Sequence, residues 1–126
     1  MKENKLDKVL FSSISNEWET PQDLFDKLNA KYHFTLDPCC TDQNHKCDKY
    51  YTIKENGLIQ DWSKDIVFMN PPYGREIGKW IKKAYDEWQK GATIIALVPA
   101  RTDTKWFHNY VYNKVEYEFI SEILGQ

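Results

Sequence analysis

The chain has 126 residues, of which 41% are hydrophobic and 15% aromatic. This length and composition predict one folded domain with its own core and exclude a disordered chain. The formal net charge of −2 excludes a protein that coats nucleic acid through overall positive charge. Any contact with nucleic acid must therefore be local or be assisted by another surface.

The first residues and the cysteines indicate where the protein works. The segment MKENKLDKVLFSS lacks the apolar core of a signal peptide, and no stretch approaches the roughly 20 apolar residues of a membrane helix. The three cysteines, two of them adjacent, argue against a disulfide framework. We therefore expect a cytoplasmic protein without membrane contacts.

The chain opens with a weakly patterned segment and a helix. Residues 1–15 predict a flexible N-terminal arm before a domain over residues 16–126. The stretch EWETPQDLFDKLNAKY predicts a helix with Thr20 as N-cap, Pro21 at the first helical position and Asp23 as the acid of a capping box. The apolar face of this helix consists of Leu24, Phe25 and Leu28.

A short strand and a polar connection come next. HFTLDPCC is apolar and is ended by Asp37-Pro38, which predicts a strand followed by a loop. The polar residues 41–63 predict a short strand near Tyr50–Ile53 and a turn at Asn56-Gly57.

Strands and helices then alternate to the end of the chain. DIVFMN and ATIIALVPA show no alternation, so both faces of each strand are expected to be covered, as in a parallel sheet. Between them, residues 75–90 have apolar side chains at helical spacing and are followed by Gly91 as a stop. TDTKWFHNYVYN opens with capping residues and predicts another helix, and VEYEFI alternates as an edge strand does.

This order of elements predicts an α/β fold with an open, mostly parallel sheet and helices on both faces. Ligands of such sheets bind beyond the carboxyl ends of the strands. Three loops of unusual chemistry are expected there: Asp37-Pro38, Asn70-Pro71-Pro72-Tyr73 and Pro99-Ala100-Arg101. Their common edge is the predicted functional site.

The loop Asn70-Pro71-Pro72-Tyr73 suits chemistry on the exocyclic amine of adenine. The lone pair of that amine is delocalised into the ring, and two acceptors that bind both amine hydrogens would localise it. The Asn70 side-chain oxygen and the Pro71 carbonyl can be those acceptors, held in place by the prolines. Tyr73 can stack on a base that has left the duplex. The alternative is a rigid loop with Tyr73 as a lid on the core.

Six segments, taken together and in order, point to a known family. EWETPQDLFDKLN, FTLDPCC, NHKCDKYYT, NGLIQDW, VFMNPPYG and LVPARTDTKWF resemble the phage-type DNA N-6-adenine methyltransferases, the Dam family. The wider group has an (Asp/Asn/Ser)-Pro-Pro-(Tyr/Phe) motif. The resemblance implies a Rossmann-like class I methyltransferase core and S-adenosylmethionine as cofactor. It also implies direct in-line attack by a flipped-out adenine of double-stranded DNA, and a phage or prophage protein acting in a bacterial cell.

The resemblance also implies roles for individual residues. The catalytic residues are Asn70, Pro71, Pro72 and Tyr73. Cofactor contacts are implied for Thr20, Pro21, Asp37, Pro38, Asp61 and Asn70. Trp18 is expected either to stack on the cofactor or to pack on the first helix. DNA contacts are implied for Tyr73, Arg75, Arg101 and Thr102. The chain departs from the family pattern after Asp37-Pro38, where Cys39-Cys40-Thr41-Asp42 replaces the usual glycine-rich loop.

The cysteines are not expected to do chemistry. Cys39, Cys40, His45 and Cys47 lack the paired spacing of a zinc site, so no metal is predicted. No nucleophilic cysteine is assigned, because direct attack by an amine with a neutral thioether as leaving group needs no covalent intermediate.

Two other functions stay open at this stage. The same lone-pair problem arises for enzymes that methylate a protein glutamine amide or an RNA base. A catalytically inactive methyltransferase fold could instead bind DNA or a protein, for example to block restriction. The final SEILGQ departs from the Gly-Arg element of relatives. We expect one of three explanations: truncation at the C-terminal strands, a homodimer that covers the exposed sheet edge, or loss of activity.

Overall fold

A computed structural model describes residues 6–12, 20–72, 74–99 and 117–119. The strands are β1 (Leu6–Ser12), β2 (Ile66–Met69), β3 (Thr93–Pro99) and β4 (Tyr117–Phe119). The helices are α1 (Gln22–Tyr32), a short 3₁₀ helix (Gly57–Ile59) and α2 (Ile77–Lys90). The described strands form one sheet in the order β2-β3-β1-β4, and every neighbouring pair is parallel.

The core lies on both faces of β2 and β3. The α1 face is filled by Leu24, Phe25, Leu28, Cys47, Phe68, Ile95 and Leu97. The α2 face is filled by Leu36, Trp62, Val67, Met69, Ile77, Trp80, Ile81, Ala84, Ala92, Ile94, Ala96 and Val98. Alternate residues of each strand thus face opposite helices, which confirms the predicted α/β fold with covered parallel strands.

The N-terminal segment differs from the predicted flexible arm. Leu6–Ser12 form β1, which pairs with β3 on one side and with β4 on the other. The register shifts between Leu6 and Lys8, where Asp7 and Lys8 interrupt the apolar pattern. This interruption hid the strand in the sequence, because pairing within a sheet can override a weak local preference. The prediction of a flexible arm over residues 1–15 was therefore wrong for residues 6–12, which form β1.

Helix α1 begins later than predicted. It starts at Gln22 with Pro21 as its N-cap residue, so the predicted capping role of Thr20 was wrong. The Thr20 hydroxyl group accepts a hydrogen bond from Asn70 instead. The Asp23 carboxylate accepts the Leu24 backbone N–H at 2.9 Å and lies in the first turn, where a negative charge is favourable.

Two predicted strands are shorter than expected. HFTLDPCC is reduced to isolated parallel bridges of Leu36 with Val67 and Asp37 with Tyr50, and the second bridge is what remains of the strand predicted near Tyr50–Ile53. The bridges still bring Asp37 to the edge of the sheet beside the end of β2. VEYEFI contains β4, the outer strand of the described sheet. The helix predicted over TDTKWFHNYVYN lies outside the described residues.

A buried carboxylate joins α2 to the loop before β2. Glu87 is 1% exposed, and its Oε1 accepts the Trp62 backbone N–H at 2.7 Å. Its Oε2 accepts hydrogen bonds from the ammonium groups of Lys83 and Lys90 at 3.1 and 3.0 Å. A buried carboxylate needs such partners, so Glu87 fixes the position of Trp62. The Trp62 indole N–H in turn donates to the Gly57 carbonyl at 3.0 Å.

The 3₁₀ helix packs directly on the chain after Asp37. Asn56 precedes it in the left-handed conformation with φ 58°, and its side chain accepts the Leu58 N–H, which confirms the predicted turn. A Cβ atom on Gly57 would overlap the carbonyl oxygen of Pro38 and lie 3.2 Å from the Trp80 ring.

Within the described part of the chain, neither α1 nor α2 has the length and apolar character to cross a membrane.

Gly57→Ala is expected to destabilise the fold, because the added methyl group meets a backbone carbonyl that cannot move aside. Overpacking of this kind costs about 1–3 kcal/mol, measured as the free energy of unfolding in urea. Ile59→Ala is the control, since Ile59 lies on the same 3₁₀ helix but is 74% exposed. An unchanged stability of Gly57→Ala would contradict the close contact with Pro38.

Candidate active site

Two adjoining cavities open at the carboxyl edge of the sheet. The first, of about 480 Å³, is lined by Thr20, Asp37, Cys39, Cys40, Thr41, Asn44, Lys46, Phe68, Asn70, Pro71 and Pro72. The second, of about 570 Å³, is lined by Pro38, Cys39, Cys40, Thr41, Thr52, Ile53, Asn56, Gly57, Pro72 and Trp80. Both fall within the roughly 300–1,000 Å³ of ligand pockets. Both cavities lie beyond the carboxyl ends of the strands, where ligands bind in open α/β sheets.

Asn70 emerges at this edge because β2 ends at Met69. Its side-chain amide donates from Nδ2 to the Thr20 hydroxyl oxygen at 3.0 Å, and Thr20 is itself only 7% exposed. Because the amide is planar, this bond orients the Asn70 carbonyl oxygen away from Thr20. Pro71 is buried and Pro72 is exposed, and both line the first cavity.

Asp37 places a buried carboxylate in the first cavity. It is 4% exposed, and its Oδ2 accepts the Lys46 backbone N–H at 2.9 Å. Burial raises the pKa of Asp37 to about 6, although hydrogen bonds from the Lys46 and Cys39 backbones and the positive charges of His45 and Lys46 oppose the rise. A cation bound in this cavity would favour the ionised form, so the site suits a positively charged ligand.

The cysteines around Asp37 are held in their neutral form. Burial, with the nearby Asp37 charge as second cause, raises the pKa of the Cys39 thiol and raises the pKa values of Cys40 and Cys47 to about 12. Thiols with raised pKa values are weak nucleophiles. In the part of the chain that the structure describes, no cluster of three His, Cys, Asp or Glu side chains could hold a metal ion.

The structure brings together only some of the predicted site residues. Thr20, Asp37, Asn70, Pro71 and Pro72 line the first cavity, and Pro38 and Pro72 line the second. Pro21, Asp61 and Arg75 are not among the residues lining either cavity. The exposed Asp61 carboxylate accepts the Ser63 backbone N–H at 2.9 Å. Trp18, Tyr73, Arg101 and Thr102 lie outside the described residues.

Several lining residues were not predicted individually. Asn44 and Lys46 reach the first cavity from the polar connection, and Gly57 and Trp80 line the second. A signal for the first pair was present, because the segment NHKCDKYYT already belonged to the family resemblance. The sequence could not show that the Lys46 backbone N–H would bind Asp37, since that contact depends on how the loop closes.

The structure thus has a parallel α/β sheet with an Asn-Pro-Pro loop and a buried aspartate at its carboxyl edge. The chain matches the family model described as DNA N-6-adenine-methyltransferase (Dam) over residues 9–123. The chain therefore belongs to the DNA N-6-adenine-methyltransferase (Dam) family, which confirms the resemblance seen in the sequence.

Two phage proteins illustrate the relationship. The chain is 31% identical over 116 residues to the DNA N-6-adenine-methyltransferase of Escherichia phage T1, covering 90% of this chain and 48% of the relative. It is 28% identical over 106 residues to the DNA N-6-adenine-methyltransferase of Haemophilus phage HP1, covering 82% and 61%. The chain thus spans about half the length of the curated relatives it matches. No solved structure matches the chain.

The raised pKa of Asp37 predicts a pH-dependent contribution to stability. The folded protein binds this proton more tightly, with a pKa of about 6, than the unfolded chain, with 3.8. The stabilisation is therefore present below about pH 4 and is lost as the pH rises through about 6. Compared with Asp37→Asn, the wild-type free energy of unfolding should fall by about 2 kcal/mol between about pH 4.5 and 7.5.

The matched control for this measurement is Asp61→Asn. Hydrogen bonds from Ser63 lower the pKa of Asp61, so its contribution to stability is lost as the pH falls, the opposite direction. Urea unfolding of both variants at the two pH values makes the comparison. A difference between wild type and Asp37→Asn that does not change with pH would contradict the raised pKa of Asp37.

Proposed function

We propose that this chain transfers a methyl group from S-adenosylmethionine to the N6 amine of a flipped-out adenine in double-stranded DNA, in the bacterial cytoplasm. The observation that supports this most directly is the Asn70 amide, held by Thr20 at the wall of the first cavity and followed by two prolines. Membership of the DNA N-6-adenine-methyltransferase family supports the substrate class.

The acceptors of this loop act on the amine. The Asn70 side-chain oxygen and the Pro71 carbonyl each accept one N–H of the adenine amine, which draws the nitrogen toward tetrahedral geometry and localises its lone pair. With S-adenosylmethionine bound as methyl donor, the new N–C bond would form as the S–C bond breaks, and the nitrogen would then lose one proton to water. Pro71 and Pro72 fix the backbone, so the acceptors need no ordering when the substrate arrives.

The first cavity is compatible with the proposed methyl donor. S-adenosylmethionine supplies an electrophilic methyl group on a positively charged sulfur atom. The buried Asp37 carboxylate provides the complementary negative charge, and Thr20, Thr41 and Lys46 offer polar groups around the same space. Pro38, which lines the second cavity, would help to hold the donor from that side. The donor contacts assigned to Trp18, Pro21 and Asp61 remain predictions from the sequence.

DNA approaches from the exposed side of the loop in this proposal. Pro72 is exposed and Gly74 follows with φ 119°, a conformation that favours glycine. Tyr73, between them, stacks on the flipped adenine. Arg75 is exposed two residues before α2 begins, where it can reach a phosphate. Arg101 and Thr102 complete the predicted DNA contacts.

Asn70→Ala is expected to lower the rate of adenine methylation by at least about 100-fold, the usual cost of removing one preorganised partner of the reacting group. Donor affinity, measured by calorimetry, should change little. Asn70→Asp is the matched variant, because an aspartate keeps the oxygen acceptors and is one of the residues that the family motif has at this position. The assay uses labelled donor and unmethylated DNA, followed by digestion to nucleosides. A methylation rate of Asn70→Ala equal to wild type would refute the role of the amide.

The same assay separates the proposed substrate from others. RNA and release-factor protein replace DNA in parallel reactions, since planar nitrogen in those molecules presents the same lone-pair problem. Methyl transfer to either of them, with none to DNA, would overturn the proposed substrate. Donor titration that gives neither heat nor a thermal shift would instead favour a non-catalytic binding protein.

Thr20→Val should lower the turnover number by about tenfold, because it removes the hydroxyl oxygen that orients the Asn70 amide. Thr20→Ser keeps that oxygen and should restore most of the rate, while the KM for DNA stays near the wild-type value in both variants. If Thr20→Val changes only donor affinity, Thr20 is a donor contact, as the sequence predicted, and does not position Asn70.

A further inference from the structure

An exposed apolar side chain stands beside the candidate active site. Ile53 is 95% exposed and Ile59 is 74% exposed, and they are the two large apolar side chains exposed among the described residues. Ile53 lines the second cavity together with Pro72, whereas Ile59 lines neither cavity. Ile53 therefore projects from the rim next to the loop that holds Asn70.

The turn that carries Ile53 is closed by its own hydrogen bonds. The Thr52 backbone N–H and hydroxyl group both donate to the Glu55 carboxylate, at 2.7 and 2.8 Å. The Asn56 N–H donates to the Thr52 carbonyl at 2.9 Å, and the Gln60 amide donates to the Glu55 carbonyl at 2.6 Å. Because Ile53 is β-branched, its side chain is stiff as well. The apolar group is thus carried by an ordered turn.

We propose that Ile53 is a wedge that enters the DNA base stack when the target adenine leaves it. This inference rests on the proposed function. Extrusion of a base leaves a gap in the stack. Proteins that distort DNA insert apolar side chains, isoleucine among them, between base steps. Lys54 follows Ile53 and is exposed, so its ammonium group can contact the DNA phosphate next to the inserted side chain.

The surroundings of Ile53 favour DNA over a second copy of the chain as its partner. Thr52, Lys54 and Glu55 flank it, so the apolar area of this turn is that of one side chain. A stable dimer buries roughly 800 Å² on each partner, which one isoleucine cannot supply. A single apolar side chain is, by contrast, enough to act as a wedge in a base stack.

The test compares Ile53→Ala with Ile59→Ala on two DNA duplexes. In one duplex the target adenine is paired with thymine, and in the other it lies opposite an abasic site, which lowers the cost of extrusion. Ile53→Ala should lower kcat/KM about tenfold or more on the paired duplex and only a few-fold on the abasic one. Ile59→Ala should stay within about twofold of wild type on both, as expected of an exposed side chain away from the cavities.

A second readout follows the base directly. With 2-aminopurine as the target base, the fluorescence increase on binding should be smaller for Ile53→Ala than for wild type and for Ile59→Ala. Matching urea unfolding midpoints exclude a folding defect in either variant.

Three results would overturn the proposal. Ile53→Ala could methylate the paired duplex at the wild-type rate. It could also lose activity on both duplexes equally, and a dimer-to-monomer change in sedimentation would then identify Ile53 as a contact between two copies. Failure of the wild-type protein to methylate either duplex would overturn the proposed function, and the wedge with it, before any variant is compared.

Discussion

The parallel pairing of β2 with β3, extended by the bridge between Leu36 and Val67, is the constraint on which the candidate site depends. Parallel strands end at the same edge of a sheet, so Asp37 and Asn70 arrive side by side although 33 positions separate them in the numbering. Strand β2 has only four residues, and its apolar side chains pack on both helical layers. A shift of one residue in β2 would exchange its two faces and remove the Asn70 amide from the cavity.

Each helical layer supports one part of this edge. On the α1 side, Thr20 precedes the helix and accepts the hydrogen bond from Asn70. On the α2 side, Glu87 binds the Trp62 N–H, and the Trp62 indole binds the Gly57 carbonyl beside Pro38. The two cavities are therefore supported from both layers: Asn70 is held on the α1 side, and Gly57, beside Pro38, is held on the α2 side.

Long apolar runs and helical spacing made β2, β3 and α2 predictable, because those signals are local. β1 was missed because Asp7 and Lys8 interrupt its pattern, and its pairing partners come from distant parts of the chain. Thr20 was assigned to a helix cap because local rules favour that role, whereas its actual partner is 50 residues away. In the sequence, Glu87 looks like one more exposed charge on an amphipathic helix, because no local signal indicates that it is buried. The motif residues Asp37 and Asn70 were identifiable from sequence, but the contacts that hold them were not.

In the proposed function, the charges of the site assign the methyl donor to the first cavity and DNA to the exposed side chains around it. A buried carboxylate would repel phosphate, so the first cavity suits a cation and not the DNA backbone. The net charge of −2 likewise gives no general attraction to DNA. In the proposed function, contact with DNA therefore depends on exposed side chains such as Arg75 and Lys54, and on the proposed insertion of Ile53. In the proposed reaction the leaving group is neutral and water takes the proton, so the Asn70 loop has to align the base and localise the lone pair of its amine, and no covalent intermediate is needed.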